Sequence, residues 1–189
     1  ATLTAYGLYA YNFRLKKAAF VFIMVILMVP TQVSALGFFS MCTDWGLRDT
    51  YIPLIVPAIA APAVFFFMIQ YMKSSLPIDI IEAARIDGSG EFRTFNTIVL
   101  PMLKPALAVQ AIFSFVASWN NYFLPALIID TSTKKTMPIM IAQLRSADFL
   151  KFDMGQVYMF IFIAIIPVII VYFCLSKFII AGVSLGGVK

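Results

Sequence analysis

The sequence predicts an all-α polytopic membrane protein, and three observations carry that expectation. The chain is 62% hydrophobic and 12% charged, with a mean hydropathy of +0.94, values outside the range of soluble globular domains. No Asp, Glu, Lys or Arg occurs in 18–43, 50–72, 105–129 or 154–176, and each window exceeds the roughly 20 apolar residues that cross a bilayer core as a helix. Of the 14 basic and 9 acidic residues, four of each sign fall from Lys73 to Lys104, between the second and third windows. Four complete transmembrane helices are expected, with a polar segment in the middle.

Residues 1–13, "ATLTAYGLYAYNF", are uncharged but too short to span, and they begin without Met. They read as part of a fifth span, with more helix expected upstream. A cleaved secretory signal does not fit, because no basic start followed by an apolar run and an A-x-A site is present. The first complete span follows Arg14-Leu15-Lys16-Lys17 and carries Pro30 and Gln32 in its outer half. The second carries Pro53, Pro57 and Pro62. Prolines free backbone carbonyls that lipid cannot satisfy, so this span is expected among other helices or along a cavity, either bent or merely kinked.

The polar segment has helical grammar. Pro77 suits a first turn, Asp79 followed by Glu82 fits a capping box, and both acids favour the positive end of a helix. Gly88 and Gly90 then stop it. Phe92, Phe95, Ile98 and Val99 fall on one face of a second short helix, until Pro101 turns the chain into the next span. Two readings stay open for this pair: a connector resting on lipid headgroups, or a surface for a protein partner. Its balanced charge weakens the first, since headgroups prefer a Lys/Arg excess.

In the third span Gln110, Ser114, Ser118 and Asn121 recur at steps of four, four and three, along one helical face. The stripe either lines an aqueous path for a polar solute, with Trp119 and Tyr122 as stacking surfaces, or bonds and packs against neighbouring helices. The loop from 130 to 153 contains "MPIMIAQLRSADF", which could form a short surface helix or touch an external partner. The fourth span is almost wholly apolar and reads as scaffold or lipid-facing. The tail "IIAGVSLGGVK", with Gly182, Gly186 and Gly187, reads as a flexible end.

Arg14, Lys16, Lys17, Lys73, Arg85, Arg93, Lys104, Lys177 and Lys189 fall on one side by alternating loops, against Arg48, Lys134, Lys135, Arg145 and Lys151 on the other. The positive-inside rule then makes the central segment and the C-terminus cytoplasmic. The net +5 is read as topology rather than nucleic-acid affinity. No expected span contains an ionisable acid or base, which argues against a proton relay. With no His in the chain a Ser-His pair is excluded, and Cys42 and Cys174 lack partner spacing and read as packing residues.

The order Glu82-Ala83-Ala84, then Gly88 after three residues, then Ile98, Leu100 and Pro101 after nine more, resembles the EAA loop of permease subunits in bacterial binding-protein-dependent ABC importers. "AYGLYAYNF", "SWNNYFLPALII", "MPIMIAQL" and "AGVSLGGVK" are similar to the carbohydrate-uptake branch, the group of the smaller maltose permease subunit. The resemblance covers essentially the whole chain, but such permeases usually have six spans, so an N-terminal helix, its outer loop and the start of the next are expected upstream.

The resemblance implies a type I ABC importer permease-like helical bundle, a single domain over 1–189, in the bacterial inner membrane. Residues 77–97 would be the cytoplasmic coupling-helix loop, with Glu82, Ala83, Ala84, Arg85, Asp87 and Gly88 docking on an ATPase, and 130–153 the external loop. Implied partners are a second permease subunit, two ATPase subunits, an external solute-binding protein and membrane lipid, with no nucleic acid. ATP and Mg would be bound by the partner ATPase; no cofactor is expected in this chain, which shows no G-x-x-x-x-G-K-[ST] loop. The cargo would be a sugar or oligosaccharide, passing Gln110, Ser114, Ser118, Trp119, Asn121 and Tyr122. The alternatives are another small polar solute, such as a glycerol phosphate or polyol, or an ion-coupled secondary transporter.

Overall fold

The computed structural model describes residues 1–146 and 153–186. No strand occurs among them, and the elements are α1 (Thr2–Ala10), α2 (Lys16–Met28), α3 (Thr31–Asp44), α4 (Ile52–Ile59), α5 (Pro62–Ser75), α6 (Ile78–Ile86), α7 (Glu91–Thr94), α8 (Leu100–Met102), α9 (Lys104–Trp119), α10 (Phe123–Ile128), α11 (Met137–Arg145) and α12 (Met154–Gly186). Two stretches, Ile52–Ser75 and Met154–Ser176, are long and apolar enough to cross a membrane, and the count reaches four only if Lys16–Met28 with Thr31–Asp44, and Glu91–Met102 with Lys104–Trp119, each count as one broken span. Counted that way, the four expected spans all occur among the described residues, two of them as broken pairs.

The breaks have one recurring cause. Val29 before Pro30 is extended (ψ 118°), and Ala61 before Pro62 is likewise outside the helical region (ψ 111°). A proline ring pushes the preceding residue out of the α region, so the chain steps out of helix at each place. Pro53 is the second residue of α4, where a missing N–H costs nothing, and Pro57 is accommodated inside that helix. The third window was expected to be helical to 129, but α9 ends at Trp119 and α10 begins afresh at Phe123. The tail was expected to be flexible, but α12 continues through Gly182 to Gly186; Gly187 to Lys189 and residues 147–152 of the outer loop, with Lys151, lie outside the described residues.

The chain forms two compact units. The first comprises Ala1–Pro30, Ile59–Ala111 and the chain from Leu175. Its core is built on α5, where Phe65, Met68, Ile69 and Met72 recur at helical spacing and are all buried. Ala5, Tyr6 and Leu8 of α1 pack into the same cluster, with Phe95, Val99, Leu103 and Ala106. The Tyr9 hydroxyl donates to the Leu76 carbonyl at the end of α5, where a helix leaves acceptors unpaired.

The polar segment runs as α6, a corner, and α7 continued through a wide π-turn, Phe95–Val99, into α8. The N-cap of α6 is Pro77, which offers no side-chain bond, and Asp79 lies inside the first turn. The expected Asp79–Glu82 capping box is thus corrected, since that motif needs its acceptor side chain at the cap. The helix ends in a Schellman arrangement: Ser89 N–H donates to Ala84 C=O at 2.9 Å and Gly88 N–H to Arg85 C=O at 3.0 Å, with Gly88 at φ +76°. Gly90 caps α7 with an ordinary φ of −66°.

The second helix also departs from the expected face. Thr94, Phe95 and Val99 are buried and Phe92 is exposed, because the wide turn rotates the inner face away from a regular repeat. Pro101 does not end this helix; its ring opposes the carbonyl of Thr97, four residues back and inside the wide turn, where the hydrogen-bond ladder adjusts. The chain turns instead by 77° between Met102 and Lys104.

The second unit comprises Thr31–Ala58 and Ile112–Cys174. Cys42, Ile128 and Ile129 form its buried centre, with Phe38, Phe39 and Leu54 packed around them. Asp49, at φ +56°, joins two loops. Its Oδ1 accepts the N–H groups of Asp130 (3.0 Å) and Thr131 (2.9 Å), and its Oδ2 accepts the Thr131 hydroxyl (2.6 Å) and Lys134 Nζ (2.9 Å). These bonds, led by those from Thr131, hold the Asp49 carboxyl well below the usual carboxylate range.

Three outcomes test this account. Met72→Ala, at a fully buried site, is expected to cost about 2–5 kcal/mol in thermal denaturation of the purified chain, while Phe162→Ala, 68% exposed, is expected to cost under about 0.5 kcal/mol. Gly88→Ala is expected to destabilise by about 1–2 kcal/mol through its left-handed backbone, whereas Gly90→Ser, whose Cβ meets nothing within 4 Å, should be neutral or stabilising as a better cap. Asp49→Asn tolerates the same backbone but loses the Lys134 ion pair, so hydrogen exchange at the Asp130 and Thr131 amides should quicken. In the unsubstituted chain the folded pKa of Asp49 is depressed, so the clasp's contribution is full above the unfolded value near about 4. It is lost only as pH falls below that value, and the protection factors of these amides, corrected for the intrinsic pH dependence of exchange, should be unchanged between pH 7 and 5.

Candidate functional site

The corner between α6 and α7 presents a mixed surface. Glu82, Ala83, Asp87 and Gly88 are exposed, Arg85 is half-buried, and Ala84 is buried. Ala84 therefore faces inward, with its carbonyl tied into the Schellman cap, and cannot serve as an open surface for close approach. Two residues missed in the sequence stand beside the acids: Ile86 is 86% exposed and Phe92 is 74% exposed. Their signal was present, since large apolar side chains in a polar segment need either a buried face or a partner.

The corner is held from behind. Arg85 Nε donates to Glu91 Oε1 at 2.8 Å across the turn, and the Arg85 guanidinium lies 4.9 Å from the centre of the Tyr11 ring. Tyr6 donates to Glu91 Oε2 at 3.4 Å, and its ring meets Phe95 at 5.2 Å and Tyr11 at 6.1 Å. Thr94, fully buried, donates to Ser89 Oγ at 2.9 Å. The Tyr11 hydroxyl first, and then Arg85, hold the Glu91 carboxyl below its ordinary value, and Glu91 in turn raises Arg85. The pair is partly exposed, so its own worth is at most about 1 kcal/mol; its effect is to fix one orientation of the outward surface. Among the described residues no group of His, Cys, Asp and Glu could hold a metal ion.

Of the residues expected along a solute path, Gln110, Ser114 and Ser118 recur every four residues within α9 and so share one face of it, and Trp119 ends that helix. Asn121 is beyond the end of α9, and its Oδ1 accepts the Leu124 N–H at 3.4 Å in the first turn of α10, whose N-cap residue is Tyr122. Trp119 stacks on Phe115 at 5.8 Å and donates its indole N–H to the Ala164 carbonyl at 2.9 Å. The Trp119 ring borders two cavities. One of about 290 Å³ is bordered by Asn120, Tyr122, Ile141 and Arg145; the other, of about 310 Å³, is bordered by Ser118, Tyr51, Lys135 and Thr136. Ser114 is exposed and borders neither.

Comparison with known proteins places these features in a family. Residues 1–184 match the family described as "Binding-protein-dependent transport system inner membrane component". The arabinooligosaccharides transport system permease protein AraQ of Bacillus subtilis (strain 168) is 35% identical over 192 residues, covering 100% of this chain and 66% of the relative. The melibiose/raffinose/stachyose import permease protein MelC of the same organism is 31% identical, covering 100% of this chain and 68% of the relative. The chain thus spans about two thirds of the length of these relatives. Among solved structures, a bacterial ABC transporter involved in the import of the acidic polysaccharide alginate superposes with a TM-score of 0.80 over 93% of this chain and 66% of the matched one, at 23% identity. That likeness shows the helical permease fold. With a family match over nearly its whole length, the chain belongs to the inner membrane components of binding-protein-dependent transport systems.

Proposed function

We propose that this chain is the transmembrane permease subunit of an ATP-driven importer of sugars or oligosaccharides. The observation that carries the coupling role is the corner: an outward surface of Glu82, Ala83, Ile86 and Phe92, locked from behind by the Arg85–Glu91 pair and by Tyr6. In this reading the corner faces the cytosol and docks on a separate ATPase subunit, one of two, which binds ATP and Mg. Glu82 supplies a charged contact, Ala83 lets the partner backbone approach, and Ile86 and Phe92 fill apolar pockets. Closure of the ATPase pair moves the corner, and the spans pass between two states. ATP must bind the closed pair more tightly than the open one for that shift to occur.

A second permease subunit completes the path, and an external solute-binding protein delivers the solute at the outer loop containing α11. The fixed Trp119 ring, with Ser118 bordering one cavity and Tyr122 the other, suits the neutral hydroxyls and apolar faces of a sugar. The printed names of the relatives, which concern arabinooligosaccharides and melibiose, raffinose and stachyose, support that cargo. Another small polar solute, a glycerol phosphate or polyol, would use the same coupling corner.

In vesicles carrying the assembled importer, Glu82→Lys and the pair Ile86→Ser, Phe92→Ser are expected to lower ATP-driven uptake at least about tenfold, while circular dichroism and the melting temperature stay unchanged. Normal uptake in both variants would remove the corner from the coupling path. Uptake that persists without ATP and follows an ion gradient would favour a secondary transporter instead.

A further inference from the structure

A groove of about 640 Å³ in the first unit is lined by the lysines Lys16, Lys17 and Lys73 with Tyr9 and Asn12, and by the apolar side chains of Leu8, Phe20, Val21 and Ile69. No acid lines it. From this arrangement we infer that the groove binds one anionic phospholipid, its phosphodiester headgroup against the three lysines and an acyl chain along the apolar wall.

The charges of Lys16 and Lys17 are placed for such a ligand and are not explained by the helix that carries them. Lys16 and Lys17 open α2, where a positive charge opposes the helix dipole. Lys16 Nζ is held by the carbonyl of Tyr11 (2.9 Å), Asn12 Oδ1 (3.3 Å) and the carbonyl of Tyr9 (3.5 Å). All three acceptors are neutral, so the ammonium is fixed in place with its charge uncompensated. Lys73, in the last turn of α5, lies 5.6 Å from the centre of the Phe20 ring. The lysines flank the charge-free windows that begin at residue 18 and end at residue 72, the part of a spanning helix that meets lipid headgroups. Lysines that only orient a chain in the membrane need no apolar groove beneath them; a lipid needs both parts. The site is independent of the solute and of ATPase docking, and requires only that α2 and α5 lie in a bilayer.

The test uses the full-length chain purified in detergent, with native mass spectrometry during titration with phosphatidylglycerol or phosphatidylcholine. Retention of phosphatidylglycerol with at least a tenfold preference is expected. Each of Lys17→Gln and Lys73→Gln should weaken it about fivefold, and the double variant about 25-fold, from roughly one charge contact per lysine. Lys104→Gln, a basic change outside the groove, should leave the preference intact, and soluble glycerol 3-phosphate in large excess should not displace the lipid. Equal retention of the two lipids, as when protein fills the groove, would overturn the inference. So would an undiminished preference in the single and double variants, or displacement by soluble glycerol 3-phosphate.

Discussion

The interaction on which the rest depends is the double engagement of Glu91. One carboxylate oxygen receives Arg85 from the far side of the Gly88 turn, and the other receives Tyr6 from α1. Tyr6 belongs to the core in which α1 packs on α5, so the corner is fastened to the helical body rather than hung from a flexible linker. A displacement of the corner then has a rigid path into the first unit. Weak as the ion pair is by itself, it closes a loop of contacts that includes the buried Tyr6 and Phe95 and the half-buried Tyr11.

Glycine and proline decide where that path bends. Gly88 adopts a left-handed conformation that ends α6 and starts the corner. Pro30 and Pro62 each force the preceding residue out of helix, and Pro101 stands beside a wide turn that rotates the buried face. The result is a chain of short helices where hydropathy alone suggests long ones. Irregular backbone at membrane depth needs neighbours to satisfy it, which agrees with a protein that works within an assembly.

The sequence made some of this legible, and the residues show why the rest was hidden. Charge-free windows report apolar length but not continuity, so the steps at Val29 and Ala61 were invisible to them, although the X-Pro rule could have located both. The Asp79–Glu82 spacing suggested a cap that Pro77 occupies instead. Phe92 was assigned to the inner face by a regular repeat, and the π-turn moved it outward. Ala84 was grouped with Ala83 because both are small, yet adjacent helical residues point about 100° apart, and only Ala83 is exposed. Asn121 fitted the spacing of a polar stripe but lies past the end of α9. The corner itself followed from Gly88, whose backbone freedom is a local property that needs no tertiary context.

The most direct measurement is disulfide or bifunctional cross-linking from a single cysteine at Ala83→Cys to the ATPase subunit, in the assembled importer with Cys42 and Cys174 replaced. The account predicts an efficient cross-link between this position and the ATPase, and none from a cysteine at Thr131 on the clasp of the second unit. Cross-linking from Thr131 but not from position 83 would contradict it.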